Sequence, residues 1–155
     1  MYKILVVCTG NICRSPMGEG FIREMLSDDL KQIIEVTSAG THASEGNEAM
    51  DYSVQNMNSF GIDISMHRSR KLTYEMIKQA DLILVMDNEQ KKIVGNCLED
   101  QKKVKLLSDF APHLEVDRID DPFGGTKNTY DTCAFKIREC CKGVLEFIKR
   151  NIASC

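Results

Sequence analysis

The 155-residue sequence contains no run of about 18 apolar residues, so we expect no membrane-spanning helix. Its N-terminal residues lack the charged and apolar regions of a secretory signal peptide. Positive charge is not in excess either, because the net charge of −3 gives no electrostatic reason to expect nucleic acid or an anionic membrane as a partner. Repeats, low-complexity tracts and linkers are also missing, so we expect one domain over residues 1–155.

The composition is that of an ordinary globular protein, with 43% hydrophobic and 28% charged residues. The seven cysteines are an odd number and are scattered through predicted core elements. This usage fits a reducing compartment better than a framework of disulfides. We therefore expect a cytoplasmic protein, and a monomer.

Strands alternate with helices along the chain. Apolar runs predict strands at residues 4–7, 33–39, 81–86 and 104–107. Capping residues and apolar spacing predict helices that begin near residues 16, 47, 73, 88 and 128, the first of them fraying near residues 27–29. The alternation implies a parallel sheet with helices on both faces, in which ligands bind beyond the carboxyl ends of the strands.

The strongest functional signal lies in residues 6–16. Cys8 follows the first predicted strand, and Arg14 lies where Ser15 and Pro16 favour the start of a helix. A loop above a helix N-terminus points its backbone N–H groups inward and adds the positive end of the helix dipole. The pattern predicts an anion cradle, with Cys8 at its base and Arg14 as a planar fork for two phosphate oxygens.

These surroundings also favour the thiolate form of a cysteine, which is the nucleophilic form. A thiolate beneath a bound phosphate would attack phosphorus and give a phosphocysteine that water then cleaves. A lone cysteine after a strand is more often a buried packing residue. The combination of Cys8, Gly10, Arg14 and a helix that opens with Ser-Pro favours the nucleophile instead.

The string Cys-Thr-Gly-Asn-Ile-Cys-Arg-Ser-Pro at residues 8–16 resembles the phosphate loop of the low-molecular-weight protein tyrosine phosphatases. Later segments agree, so the likeness covers nearly all of the chain. It implies an α/β fold of three layers, α/β/α, with a four-stranded parallel sheet in the order 2-1-3-4. The implied phosphate-binding residues are those of the loop: Cys8, Thr9, Gly10, Asn11, Ile12, Cys13, Arg14 and Ser15.

The resemblance also implies an activity. The chain would remove phosphate from phosphotyrosine proteins or small aryl phosphomonoesters, as a protein tyrosine phosphatase and acid phosphatase. We expect no metal and no cofactor, because the cradle itself supplies positive charge.

The expected general acid is Asp121, which lies before Pro122 in a long segment from residue 108 to residue 128. Asp-Pro-x-Gly is also an ordinary turn sequence, so the motif alone indicates only a turn. Long loops inside compact domains are usually functional, and the position matches the Asp-Pro general acid of the resembled family. Asp120 is the nearby rival, and Phe123 would place a ring beside the leaving group.

Supporting roles come from the resemblance. It implies that Ser15 hydrogen-bonds the Cys8 sulfur, and that Ser38 and His67 hold Asn11, which tolerates the left-handed backbone of a tight loop. Without the resemblance, Ser38 would simply end a strand and His67 would be a surface residue. It also implies that Cys13 forms a reversible disulfide with Cys8; the alternative is a small packing residue.

The sequence departs from the family in its aromatic residues. Some members have two further aromatic side chains around the site, whereas here Phe123 is followed by Gly124 and the loop at residues 41–45 has no aromatic residue. We therefore expect one clear ring and a broader aryl phosphomonoesterase activity. Some relatives are controlled by tyrosine phosphorylation in this segment, but Phe123 and Gly124 offer no acceptor for it.

Three other functions remain as alternatives. A thioredoxin-coupled arsenate reductase shares the fold but needs further cysteines, and Cys97 is the only candidate near the middle of the chain. A phosphate-binding module without activity would need neither a thiolate nor an acid. A zinc site is least favoured, because the separation of Cys8 and Cys13 is long for a paired cysteine knuckle.

Overall fold

A computed structural model describes residues 1–152 as one sheet between two layers of helices. The strands are β1 (Tyr2–Cys8), β2 (Ile34–Gly40), β3 (Leu82–Val85) and β4 (Val104–Leu106). All neighbours pair in parallel and the order is β2-β1-β3-β4, so the predicted topology is confirmed. The central strand β1 ends at Cys8, at the switch in strand order where such sheets bind ligands.

The helices are α1 (Arg14–Met25), α2 (Asp28–Lys31), α3 (Asp51–Ser59), α4 (Tyr74–Gln79), α5 (Asn88–Gly95) and α6 (Lys127–Asn151), with 3₁₀ turns at Leu107–Phe110 and Pro112–Leu114. Successive side chains of a strand point to opposite faces, and β1 uses both. Ile4 and Val6 pack in one core with residues of α1 and α6, whereas Leu5 and Val7 pack in a second core beneath α4 and α5. Each core lies between one face of the sheet and a layer of helices, so the fold has three layers.

Several helix boundaries differ from the sequence prediction. Helix α1 begins at Arg14, and Cys13 at its N-cap position makes no side-chain capping hydrogen bond. Ser15, the predicted cap, lies inside the helix, where its hydroxyl contacts the sulfur of Cys8. Where fraying was expected, the Ser27 hydroxyl accepts from the backbone of Leu30 and starts the one-turn helix α2.

Helix α3 begins at Asp51 with Met50 at its N-cap position, three residues after the predicted cap Asn47. Asn47 does not cap it, because its backbone N–H and carbonyl are both bonded to Ser69 in an extended segment. The cap of α4 at Thr73 agrees with the prediction.

Within residues 1–152, no helix combines the length and the hydropathy that a membrane crossing requires.

Gly40, at the end of β2, lies directly behind the loop that follows β1. A Cβ at this position would lie 2.5 Å from the Thr9 carbonyl oxygen and 2.9 Å from the Asn11 backbone nitrogen. Both atoms belong to backbone and cannot rotate away, so only glycine allows this approach. The loop is therefore supported from behind by the backbone of β2.

We predict that Gly40→Ala lowers the free energy of unfolding by about 1–3 kcal/mol, because an added carbon would overpack this contact. Urea denaturation followed by circular dichroism measures it. Gly10→Ala is the matched control, since the nearest atom to its Cβ would be in the Ile12 side chain, at 3.5 Å. Equal destabilisation by the two substitutions would contradict the assignment.

Candidate active site

The carboxyl end of β1 forms the floor of a cavity of about 190 Å³. Two segments wall it: the phosphate loop, residues 8–15, and the acid loop, residues 119–125. The acid loop is tied to the sheet by a 2.9 Å hydrogen bond from the Ile119 backbone N–H to the Met86 carbonyl, just after β3. The lining residues are Cys8, Thr9, Gly10, Ile12, Cys13, Arg14, Asp121 and Phe123.

The Cys8 sulfur lies at the base of the cavity and is almost fully buried. The Asn11 backbone N–H donates to it at 3.3 Å, and the Ser15 oxygen lies 2.9 Å away. The Ser15 hydroxyl already accepts a hydrogen bond from the Asn11 side-chain amide at 2.7 Å. Its own hydrogen is therefore free to donate to Cys8, and both contacts stabilise a thiolate.

The orientation of the Asn11 amide is fixed by its other partners. The Arg70 backbone N–H donates to Asn11 Oδ1 at 2.8 Å, which leaves the amide nitrogen to donate to Ser15 and to Ser38 at 3.0 Å. The Asn11 carbonyl lies 2.7 Å from Nε2 of His67. Asn11 is fully buried with φ of +55°, the left-handed region that Asn tolerates.

The structure thus brings Ser38 and His67 to Asn11, as the family resemblance implied. His67 Nδ1 lies 3.8 Å from a Glu19 oxygen, so the imidazole bridges a carboxyl group and the loop. Burial raises the pKa of Glu19, and nearby Arg23 and His67 oppose that shift. No sequence motif marks Glu19, so its contact with His67 could not be predicted from the sequence.

Arg14 lies at the helix end of the phosphate loop with its side chain almost fully buried. Nη1 donates to the Ile119 carbonyl at 2.8 Å and to Asp87 at 3.4 Å. Nη2 donates to the Thr9 hydroxyl at 3.3 Å and lies 3.7 Å from Asp121. These contacts hold the guanidinium at the edge of the cavity.

Sequence reasoning also missed Asp87 and Gln90, which contact the phosphate loop. Asp87 caps α5 with one carboxylate oxygen and pairs with Arg14 through the other. Gln90 completes a capping box with Asp87 and also donates to the Thr9 hydroxyl. The Asp-x-x-Gln spacing after a central strand was the available signal, since it marks a helix start at the ligand-binding edge.

The two adjacent carboxylates of the acid loop point to different partners. Asp121 lines the cavity, and its Oδ1 accepts the Phe123 backbone N–H at 3.1 Å. Asp120 forms a 2.8 Å ion pair with Arg118 in the exposed part of the loop. Geometry therefore favours Asp121 over its rival as the group that meets a ligand. Phe123 is exposed but lines the cavity rim.

Cys13 lines the cavity and is buried, and both it and Cys8 are free thiols. Burial raises the pKa of Cys13 to about 11, partly offset by a hydrogen bond with the Tyr130 hydroxyl at 3.5 Å. The pKa of Cys133, on the adjacent face of α6, is raised by burial to about 12. The thiols of Cys13 and Cys133 are therefore neutral near pH 7.

Comparison with known proteins agrees with this geometry. Residues 3–154 match the family "Low molecular weight phosphotyrosine protein phosphatase". The "Low molecular weight phosphotyrosine protein phosphatase" of Rattus norvegicus is 33% identical over 153 residues, 93% of this chain and 94% of that protein. The "Probable low molecular weight protein-tyrosine-phosphatase EpsP" of Ralstonia solanacearum is 47% identical over 121 residues, 77% of each chain.

Among solved structures, the "YwlE arginine phosphatase from Geobacillus stearothermophilus" superposes with a TM-score of 0.85. It is 31% identical to this chain, and the match covers 99% of this chain and 97% of that one.

We predict that the free energy of unfolding falls as pH rises above about 9, the ordinary pKa of a cysteine thiol, which we take for the unfolded chain. The unfolded thiols then lose protons that buried Cys13 and Cys133 retain up to about pH 11 and 12. Each such thiol contributes a decrease of up to about 1.4 kcal/mol per pH unit. Urea denaturation at pH 8, 9 and 10 measures the slope.

Cys133→Ala should make this decrease shallower, because it removes one of the titrating thiols. An identical slope in the variant and the parent would contradict the prediction. Cys97→Ala is the control: Cys97 is only partly buried and lies outside the cavity.

Proposed function

The chain belongs to the low molecular weight phosphotyrosine protein phosphatase family, and from that premise we propose how its cavity hydrolyses aryl phosphate monoesters. One observation carries the proposal: the buried Cys8 sulfur accepts hydrogen bonds at the base of a cavity that Arg14 and Asp121 also line. A nucleophile, a cation for the phosphate and an acid for the leaving group thus share one small space.

In the first step, the Cys8 thiolate attacks phosphorus in line with the leaving oxygen. The sulfur–phosphorus bond forms as the phosphorus–oxygen bond breaks, and Asp121 gives its proton to the departing oxygen. Asp121 lies on the wall rather than at the base of the cavity, which supports its placement on the leaving-group side.

In the second step, Asp121 is a carboxylate and takes a proton from water as that water attacks phosphorus. The sulfur–phosphorus bond breaks and inorganic phosphate forms. Ser15 donates a hydrogen bond to the departing sulfur, which stabilises the thiolate as a leaving group.

Charge develops on the equatorial phosphoryl oxygens in both steps. The loop amides and the Arg14 guanidinium are fixed before the substrate arrives, so no reorganisation is needed during the reaction. Asp87 and the Ile119 carbonyl accept hydrogen bonds from Arg14 Nη1 and so restrain the guanidinium. Because the cradle supplies this positive charge, the proposed reaction uses no metal or cofactor.

The cavity walls support an aromatic substrate. Ile12 and Phe123 give it apolar sides, and Phe123 stands exposed at the rim, where a ring of phosphotyrosine would stack. The proposed substrates are phosphotyrosine proteins and small aryl phosphomonoesters. The protein would thus act both as a protein tyrosine phosphatase and as an acid phosphatase.

Phosphoarginine is a second candidate substrate, because the structurally similar YwlE protein is an arginine phosphatase. An adjoining groove is lined by Glu89, Asp117 and Asp120 together with Arg118, and its excess of acidic side chains would attract a guanidinium. Peptides that carry phosphotyrosine or phosphoarginine between identical flanking residues distinguish the two. A higher kcat/KM on the phosphoarginine peptide would replace the first proposal with the second.

The protein is further proposed to be a cytoplasmic monomer with one domain over residues 1–155, of which residues 153–155 lie outside the described part. Six free cysteines in residues 1–152 support a reducing compartment. The burial of Cys133, Cys140 and Cys141 supports a role in packing for these three.

We expect hydrolysis of para-nitrophenyl phosphate in EDTA and reductant to disappear in Cys8→Ser, because a serine hydroxyl at this site is a far weaker nucleophile. Asp121→Asn should lower kcat by about 10²- to 10⁴-fold through loss of the proton donor. Asp120→Asn, beside it but paired with Arg118, is the matched control and should keep at least about half of the activity. Equal losses at the two aspartates would overturn the assignment of the acid.

Phe123→Ala should raise KM for a phosphotyrosine peptide by about 3- to 10-fold, because one ring contact is lost. KM for an alkyl phosphate, which has no ring to stack, should stay nearly unchanged in the same variant. Steady-state kinetics on the two substrates measures the difference. A parallel rise in both KM values would exclude stacking as the role of Phe123.

Cys13 is proposed as a redox partner of Cys8, since both thiols line the same cavity. Peroxide converts the Cys8 thiolate to a sulfenic acid; the Cys13 thiol then attacks that sulfur, a disulfide forms and water leaves. A dithiol reductant restores both thiols. The disulfide would protect Cys8 from irreversible oxidation to the sulfinic acid.

After brief treatment with peroxide, dithiothreitol should restore most of the activity of the wild type but little of that of Cys13→Ala. Cys133→Ala removes another buried thiol of the same region and should recover like the wild type. Full recovery of Cys13→Ala would contradict the redox role.

A further inference from the structure

The Thr9 hydroxyl receives two hydrogen bonds at the rim of the phosphate loop. Gln90 Nε2 lies 3.1 Å from Thr9 Oγ1, and Arg14 Nη2 lies 3.3 Å from the same oxygen. Thr9 itself lines the cavity beside Cys8. The question is which way the hydroxyl hydrogen points.

The partners of Gln90 settle the orientation of its side-chain amide. The Met86 backbone N–H lies 2.7 Å from Gln90 Oε1, and the Asp87 backbone N–H lies 3.3 Å from it. A backbone N–H can only donate, so the atom it meets must be the carbonyl oxygen of the amide. The amide nitrogen consequently faces Thr9 and donates to it. Gln90 is almost fully buried, so water does not compete for these bonds.

The guanidinium of Arg14 can likewise only donate. Thr9 Oγ1 therefore accepts twice, and a hydroxyl oxygen has two lone pairs to offer. Its one hydrogen must point away from both donors. Within residues 1–152, this hydroxyl makes no hydrogen bond to a protein acceptor, and Thr9 is one of the residues that line the cavity.

We propose that the Thr9 hydroxyl donates its hydrogen bond to a phosphoryl oxygen, and that Gln90 is the positioning residue that turns it there. This inference rests on the proposed function, since it concerns the same phosphate site. Thr9 would touch the reacting group, whereas Gln90 would act only through Thr9.

Gln90 suits this role because it belongs to the first turn of helix α5, which Asp87 caps. Its backbone N–H donates to Asp87 Oδ1 at 3.1 Å, and Asp87 Oδ2 accepts from Arg14. The start of α5 thus fixes both donors to Thr9, Gln90 directly and Arg14 through Asp87. The hydroxyl is oriented before phosphate binds, as electrostatic catalysis requires.

The test compares Thr9→Val, Thr9→Ser and Gln90→Met with the wild type. Inorganic phosphate binding is measured by isothermal titration calorimetry, and turnover is measured with para-nitrophenyl phosphate. Thr9→Val should weaken phosphate binding and lower kcat/KM by about 10- to 100-fold, as expected for one hydrogen bond to a charged group. Thr9→Ser keeps the hydroxyl and should recover most of both quantities.

Gln90→Met should weaken phosphate binding by a few-fold in the wild type and have no further effect in the Thr9→Val background. Thr37→Val, which removes a hydroxyl from β2 outside the cavity, is the matched control. Circular dichroism on each variant checks the fold.

Unchanged phosphate binding in folded Thr9→Val would overturn the inference, as would a Gln90→Met effect that persists in full without the Thr9 hydroxyl. Absence of phosphate binding in the wild type would overturn it as well. If the wild type binds phosphate but hydrolyses nothing, the proposed function fails, and the binding ratio of Thr9→Val to wild type still decides the role of Thr9.

Discussion

The site depends on one residue held in the left-handed region, Asn11. Its backbone turns the phosphate loop so that its N–H meets the Cys8 sulfur and its carbonyl meets His67. Its side chain fixes the Ser15 hydroxyl, which in turn contacts the same sulfur. A left-handed non-glycine residue persists only where its surroundings determine it, and here every polar group of Asn11 is engaged.

A second constraint is the burial of Arg14. An isolated buried cation is costly, and the structure compensates with the Ile119 carbonyl, Asp87 and Asp121. Asp87 lies directly after β3, and Ile119 and Asp121 lie in the acid loop, after β4. The cation therefore joins the phosphate loop to the acid loop and to α5, and the three segments form one electrostatic unit.

The strands and the phosphate loop could be predicted because their signals are local, whereas the order of the strands came from the family resemblance. Apolar runs mark the strands, and residues 8–16 are contiguous, so one string carries nearly the whole cradle. Asp87, Gln90 and Arg70 could not be recognised in the same way. Each meets the loop across a separation of more than fifty residues, and no periodicity records such a contact. Helix α3 was placed too early because Asn47, a good cap by type, is bound to Ser69 by tertiary contacts.

The attachment of the acid loop has a kinetic consequence. Ile119 is bonded through its N–H to Met86 and through its carbonyl to Arg14, only two residues before Asp121. These two bonds restrain the backbone close to Asp121, so we expect the proposed acid to move little between the empty and the occupied site. The side chain of Asp121 is nevertheless about half exposed, at 47%. In the proposed second step, the water that Asp121 deprotonates can therefore approach this carboxylate directly from solvent.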